Sequence, residues 1–168
     1  MHRYRIVVSF LLLVIGVYAC ATANGAQRRA RPRAKVITLE RGQCFGTCPV
    51  YKLTIYSDGT VRYQGIRYVK NLGSASARIS RARLRELVLE FQNIYYFNLP
   101  DSFTPGNKQC SEYVTDMPSA TTSLMWQGRS KTIHHYHGCR GTSALDNLTE
   151  LENKIDKAVG VTKWTKKS

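Results

Sequence analysis

The chain has 168 residues, of which 43% are hydrophobic and 21% are charged, and 25 Lys and Arg against 11 Asp and Glu give a net charge of +14. This length supports one domain with one core, and the composition is close to the globular average, which argues against a fully disordered chain. No apolar run reaches the roughly 18 residues of a spanning helix, which excludes a protein embedded entirely in a membrane.

The first 26 residues have the three parts of a secretory signal. Arg3 and Arg5 give a positive start, residues 6–18 are almost entirely apolar, and small residues follow as far as Ala26. The apolar run is shorter than the roughly 20 residues that a spanning helix needs, although an uncleaved N-terminal anchor is the alternative. We therefore predict an exported chain, located in the periplasm or attached to the envelope.

Two modes of cleavage fit this leader. Residues 21–23 and 24–26 both suit ordinary signal peptidase, whereas residues 17–20 (VYAC) resemble a bacterial lipoprotein box in which Cys20 would carry the lipid. A lipid anchor at Cys20 would be the only attachment to a membrane. Either mode leaves an even number of cysteines, which in an exported chain predicts disulfides. These are Cys44, Cys48, Cys110 and Cys139.

A basic segment follows the leader. Residues 27–35 read as a linker, and their charge predicts attraction to an anionic envelope surface. Residues 36–164 are then expected to form a single domain and residues 165–168 a basic tail. The five basic residues of the linker are Arg28, Arg29, Arg31, Arg33 and Lys35.

The strongest local signal is a hairpin around the dipeptide Asp-Gly. A three-residue loop ending at Gly59 places Ile55 opposite Val61 and Leu53 opposite Tyr63, whereas a two-residue loop would give both apolar residues polar partners. We therefore predict the three-residue loop, with Gly59 in the left-handed region.

Strands and a helix are predicted on either side of this hairpin. Residues 35–41 alternate as a first strand does, and a weak fourth strand is predicted around residues 77–79. Ser80 can cap a helix whose apolar residues recur at helical spacing. These residues are Leu84, Leu87, Val88 and Phe91.

A second hairpin is predicted after a long irregular loop at residues 101–118. Gly128 and Arg129 would be the central residues of a type II′ turn, which sets Leu124 opposite Ile133.

A last helix completes the predicted fold. Ser143 and Asp146 can form a capping pair at its start, and Gly160 ends it. Its apolar residues are Leu145, Leu148, Leu151, Ile155 and Val159. The order β-β-β-(β)-α-β-β-α predicts an α+β domain, with an antiparallel sheet of about five to six strands and two helices packed on one face.

One stretch of the sequence resembles a known family. Residues 44–51 (CFGTCPVY), followed by the Asp-Gly hairpin, resemble a bacterial family of exported domains of unknown function that carries C-F-G-x-C-P-x-Y and then D-G-x-V-x-Y-x-G. The resemblance extends over residues 36–164 and implies no activity. Cys110 and Cys139 lie outside the family pattern.

Cys44 and Cys48 allow three interpretations. They can close a small disulfide ring, bind a soft metal or exchange thiols, and an exported context favours the disulfide. Their C-x3-C-P spacing also resembles the site of exported copper-delivery proteins, which add a distant histidine, although the βαβ alternation of those proteins is missing here. Alternation sends His135 and His137 to one face of a strand, so that the candidate metal ligands are Cys44, Cys48, His135 and His137.

Cys110 and Cys139 lie in loops on either side of the second hairpin. We predict that they form the second disulfide. A four-cysteine zinc site is the alternative, but the usual close cysteine pair occurs only once in the sequence.

No nucleophile, phosphate-loop or metalloprotease motif occurs in the sequence, so we expect a protein that is not an enzyme and has no cofactor. Tyrosines beside basic residues could stack on single-stranded nucleic acid, but export argues against that partner. The predicted function is binding or scaffolding in the cell envelope. The alternative is a periplasmic protein that binds copper or zinc, or exchanges thiols, through Cys44 and Cys48.

Overall fold

A computed structural model describes residues 33–166. They form a mixed α+β domain, as predicted. Its strands are β1 (Lys35–Arg41), β2 (Val50–Tyr56), β3 (Thr60–Arg67), β4 (Gly73–Arg78), β5 (Ser102–Phe103), β6 (Glu112–Tyr113), β7 (Ser119–Trp126), β8 (Arg129–Tyr136) and β9 (Cys139–Arg140). Its helices are α1 (Arg81–Asn93), α2 (Ser143–Val159) and α3 (Thr162–Thr165), with a 3-10 turn at Tyr96–Asn98. None of these helices has the length and apolar character needed to cross a membrane.

Seven strands form the main sheet, in the order β4-β3-β2-β1-β7-β8-β5. Its neighbours are antiparallel except that β5 runs parallel to β8, and β6 pairs with β9 in a separate sheet. The predicted five to six antiparallel strands and two helices are therefore wrong in detail. The segment predicted as an irregular loop supplies β5 and β6, because two-residue strands give no period-2 signal. The fourth strand covers Gly73–Arg78 instead of residues 77–79.

One face of the main sheet carries the core. Ile37 lies between Ile55 and Leu124 in a row of fully buried side chains. Helix α2 crosses this face, since its side chains reach β8, β1 and β2, and Trp164 of α3 stacks on Tyr63 of β3 at 4.6 Å between ring centroids. Helix α1 contacts α2, and its predicted apolar residues are all buried.

The first hairpin has the predicted register. Ile55 faces Val61 and Leu53 faces Tyr63. Gly59 has a φ of +82°, which L side chains rarely adopt. The three-residue loop is therefore confirmed.

The register predicted for the second hairpin is wrong. Leu124 faces Lys131, and Ile133 faces a threonine of β7. The turn residues are Gln127 and Gly128, with φ of +50° and +76°. Positive φ at both central residues is typical of a type I′ turn, which begins one residue earlier than predicted. The pairing shifts by two residues in total, so the same side chains still face the core.

The helix ends agree with the sequence in two places out of three. Ser80 caps α1 by accepting a hydrogen bond from a backbone N–H of the first turn, and Gly160 ends α2 with a φ of +66°. The predicted capping pair of Ser143 and Asp146 is not formed. Helix α2 already includes Ser143, and Thr142 precedes it without a side-chain hydrogen bond.

Candidate functional site

A cluster of buried polar side chains lies between α2 and the core face of the sheet. Glu152 is 0% exposed and accepts hydrogen bonds from His135 Nδ1 at 2.9 Å and from His137 Nε2 at 2.8 Å. The two histidine rings stack at 4.5 Å between centroids. Strand β8 thus places both rings on one face, as alternation predicted, and both rings point a nitrogen at the same carboxylate.

Arg41 at the end of β1 joins this carboxylate to a second one. Its Nη1 donates to Glu152 Oε2 at 2.9 Å, and its Nε and Nη2 donate to Asp156 Oδ2 at 3.1 and 2.9 Å. Tyr51 donates its hydroxyl to the other oxygen, Asp156 Oδ1, at 2.7 Å. Every carboxylate oxygen of the cluster therefore accepts at least one hydrogen bond.

Strand and helix periodicity explain why these charged groups are buried. Arg41 continues the alternation of Ile37 and Leu39, and therefore points to the core face. Glu152 lies between Leu148 and Ile155 on the apolar side of α2. Both residues occupy positions that the pattern reserves for apolar side chains, so each needs a partner inside the protein.

The pKa values of the two carboxyl groups differ in direction. Burial alone would raise the pKa of Glu152, but hydrogen bonds from His135 and His137 and the charge of Arg41 outweigh it and lower the pKa to about 2. Burial raises the pKa of Asp156, and its contacts with Arg41 and Tyr51 offset only part of that effect. The pKa of Arg41 is nevertheless raised, since its two carboxylate partners outweigh the opposing effect of burial. We take Asp156 to be ionised, because three donors address its oxygens.

The two histidines and Glu152 could hold a metal ion, but the guanidinium of Arg41 already occupies a position beside them. Ligand atoms of His135, His137 and Glu152 lie within 4.8 Å of one another, and two imidazoles with a carboxylate are a set that zinc accepts. The guanidinium of Arg41, however, touches Glu152 and lies 3.3 Å from His137 Nε2. A metal bound here would have to displace that guanidinium from the carboxylate.

A cavity of about 440 Å³ opens beside the cluster. Its lining includes His135, His137, Arg140, Ser143, Asp146 and Thr149. One guanidinium nitrogen of Arg140 donates hydrogen bonds to the backbone oxygens of His137 and Cys139. The cavity therefore reaches the histidine side of the cluster, where a small ligand or an ion could enter.

Both predicted disulfides are present. Cys44 pairs with Cys48, and Cys110 pairs with Cys139, with Cα–Cα distances of 5.8 and 5.0 Å. Cys44–Cys48 closes the loop between β1 and β2, and Cys110–Cys139 joins the segment before β6 to β9, at the end of the sheet where β1 ends and β7 begins. The predicted metal ligands therefore fall into two separate groups. Cys44 and Cys48 are bonded to each other in a disulfide, whereas His135 and His137 contact Glu152.

Residues 35–159 match the family described as Domain of unknown function (DUF6438). The chain belongs to the DUF6438 family. No curated protein matches it. The expectation of a domain of unknown function is therefore confirmed, whereas the bacterial and exported character that the motif implied stays a prediction.

The DUF6438 match contains the whole polar cluster, of which only the two histidines were predicted from the sequence. Arg41, Tyr51, Glu152 and Asp156 were missed. The available signal was a charge at an apolar position of a strand or helix, as at Arg41 and Glu152. Neither the strand pattern nor the helix pattern could show that these charges meet.

Several predicted site residues fall outside the described residues. They are Cys20, Arg28, Arg29 and Arg31. Of the basic linker, Arg33 is exposed and donates to Thr60 Oγ1 at 3.4 Å, and Lys35 begins β1. The described part of the linker therefore lies at the end of the sheet opposite to the disulfides, beside the β2–β3 turn.

Proposed function

We propose that this DUF6438 protein is an exported, non-enzymatic binding protein of the cell envelope, stabilised by its two disulfides. The leader-like residues 1–26 support export, and so do the disulfides, which persist in oxidising compartments. The basic linker would favour an anionic envelope surface, and lipidation at Cys20 would hold the protein there.

The observation that carries the binding function is Phe45. It is 87% exposed and lies within the five-residue ring that the Cys44–Cys48 disulfide closes. Its backbone N–H donates to the carbonyl oxygen of Asp116 at 3.1 Å, so the ring is tied to a second loop, which itself exposes Met117. Contiguous exposed apolar patches are typical of interaction sites, and this hydrogen bond brings the loops that expose Phe45 and Met117 together.

The polar cluster supports a function without catalysis. The carboxylates of Glu152 and Asp156 accept hydrogen bonds from groups of the protein itself, including the guanidinium of Arg41. An ionised pair that is fully engaged in this way is a structural element more than a base or nucleophile poised for substrate.

The test compares Phe45→Ser with Leu89→Ser, which changes another exposed apolar residue on α1. Both variants should keep the melting temperature of the wild type. Envelope proteins that are cross-linked to the wild type in its host should be lost with Phe45→Ser and retained with Leu89→Ser. Equal recovery with both variants would contradict a role for Phe45.

Export has its own test. Mass spectrometry of the protein from its host should show a chain that begins at Cys20, Asn24 or Gln27, with added acyl mass if Cys20 is the first residue. Recovery of the chain from the cytosol with Met1 intact would contradict export.

A second candidate function is metal binding, favoured by the proximity of His135, His137 and Glu152. Titration of the native protein with zinc or copper(II) should then show one ion bound per chain, and His137→Ala should abolish it. Retention of full occupancy in His137→Ala would exclude this site.

The thiol-redox alternative rests on Cys44 and Cys48. Their disulfide should then have a less negative reduction potential than Cys110–Cys139, and free thiols should be detectable in the native protein. Native protein with no titratable thiol supports the structural interpretation.

A further inference from the structure

Within residues 33–166, the outer edge of β4 offers backbone groups that no strand pairs with. The backbone N–H of Ile79 donates to the carbonyl oxygen of Gly59, which fixes the alternation of the antiparallel β3–β4 ladder. Ala75 and Ala77 therefore bond to β3, whereas the N–H and C=O groups of Ser74, Ser76 and Arg78 point away from it. Among residues 33–166, β4 is the last strand on this side of the sheet.

The side chains of β4 do not protect this edge. Its sequence is GSASAR, so that its only charge stands at its end and no proline, lysine or bulge interrupts it. Natural proteins usually block an exposed edge of this length with such devices. An unblocked edge is the structure that extended peptides use when they add a strand to a sheet.

The solvent-facing side of the sheet beside this edge has a groove and carries positive charge. A groove of about 570 Å³ lies there, lined by Lys52, Thr54, Arg62, Gln64, Ser74 and Ser76. Lys52 is already paired with Glu40 at 2.8 Å. The guanidinium of Arg62 lies 5.5 Å from the ring centroid of Tyr56 and makes no ion pair or hydrogen bond within residues 33–166.

We propose that the edge of β4 binds an extended peptide segment that carries acidic side chains at alternate positions. A residue placed opposite Ser76 would lie two strand spacings, roughly 10 Å, from the backbone of Arg62. The guanidinium lies over the ring of Tyr56 on β2, so the Arg62 side chain has to turn toward β4, where the small Ser76 side chain leaves room for it to meet a glutamate. A second acidic residue two positions along would face Arg78, which is exposed at the end of the strand, donates to the carbonyl oxygen of Asp58 at 3.0 Å and lies 4.0 Å from the Asp58 carboxylate, so Arg62 is the main determinant of charge.

Charge distinguishes an acidic peptide from the two segments of this chain that could occupy the edge instead. A second copy of β4 carries no acidic residue and would bring another arginine to the edge. The basic linker, with five basic residues in residues 27–35, has the same sign as Arg62 and Arg78. An acidic partner is therefore the occupant whose charge complements Arg62.

The test is fluorescence anisotropy with the purified, disulfide-bonded protein and a labelled seven-residue peptide in which Glu alternates with Val. We expect saturable binding to the wild type and none for the peptide with Lys in place of Glu. Arg62→Glu should weaken binding at least about tenfold, the loss expected for a charge-assisted contact. The matched control is Arg85→Glu, which makes the same change of charge on an exposed position of α1 and should shift binding less than about twofold.

The backbone pairing is tested by Ser76→Pro. Because the N–H of Ser76 points outward, proline there leaves the β3 ladder intact and removes one donor to the peptide. The variant should melt near the wild-type temperature, as followed by circular dichroism, and bind the peptide more weakly. Equal binding of the Lys peptide, no saturable binding by folded wild type, or unchanged binding by Arg62→Glu would overturn the proposal.

Two further measurements separate this site from other surfaces. Phe45→Ser should bind the peptide as the wild type does, so a failure at β4 and a failure of the function proposed for Phe45 are distinguishable. Sedimentation should show a monomer. A dimer that Ser76→Pro dissociates would mean that a second copy occupies the edge, which would overturn the acidic-peptide proposal.

Discussion

Around Leu53 and Ile55 of β2 the core is apolar, whereas beneath the ends of β1 and β8, where Tyr51 also reaches Asp156, it is charged. Leu53 and Ile55 are buried against other hydrocarbon, and a side chain of similar volume can replace them at small cost. Arg41 and Glu152 are buried against one another, and neither can be changed without leaving a charge unpaired. The apolar region depends on volume, and the charged region depends on every partner being present.

The largest expected effect comes from breaking the charged region. Arg41→Met keeps most of the side-chain volume but leaves Glu152 and Asp156 buried without their cation, and should lower the free energy of unfolding by about 3–5 kcal/mol. Leu53→Met in the apolar region is the matched change and should cost less than about 1.5 kcal/mol. Urea denaturation measures both. Equal losses would contradict the distinction between the regions.

The disulfides should also differ from one another, because they act through the unfolded chain. The double replacement Cys110→Ala and Cys139→Ala releases a long loop and should lower the free energy of unfolding by about 2–4 kcal/mol. Replacement of Cys44 and Cys48 by alanine should cost much less, since a ring that small constrains the unfolded chain little. The contrast fails if the small ring proves to be the more stabilising of the two.

Two hairpin glycines outside the charged region give a smaller effect. Gly59→Ala places a Cβ 2.3 Å from the carbonyl oxygen of Ile79, in addition to the strain of a positive φ, and should cost about 2 kcal/mol or more. Gly128→Ala has the strain alone, because nothing lies within 4 Å of its Cβ position, and should cost about 1 kcal/mol. Thermal unfolding followed by calorimetry would rank them, and the reverse ranking would show that the contact with Ile79 does not matter.

The apolar region was the more predictable from sequence. The register of the first hairpin follows from the need to give Leu53 and Ile55 apolar partners, and only one loop length does so. The register of the second hairpin was predicted from a type II′ turn at Gly128 and was wrong, since Leu124 faces Lys131 in place of Ile133. Turn geometry at Gln127 decided that register, and a positive φ at glutamine has no sequence signal.

The charged region was predictable only in fragments. Alternation placed His135 and His137 on one face, but their partner comes from a helix that crosses the sheet. Contact between Arg41 and Glu152 spans more than a hundred residues of sequence, and short-range periodicity carries no information on such pairs. The charge of each residue at an apolar position was the one available indication that a buried partner exists.

The most direct measurement of the charged region is the free energy of unfolding from pH 7 to pH 2 for the wild type and Glu152→Gln. The folded pKa of Glu152, about 2, lies below its ordinary value of 4.5. Its contribution is therefore fully present above pH 4.5 and is lost as the pH falls toward 2. Asp156 is present in both proteins, so the effect of its raised pKa largely cancels in the difference between the two free energies of unfolding. We predict that the wild type exceeds Glu152→Gln by the largest margin above pH 4.5 and that the margin shrinks steadily toward pH 2. A margin that is independent of pH, or one that grows in acid, would contradict a buried carboxylate held ionised by Arg41 and the two histidines.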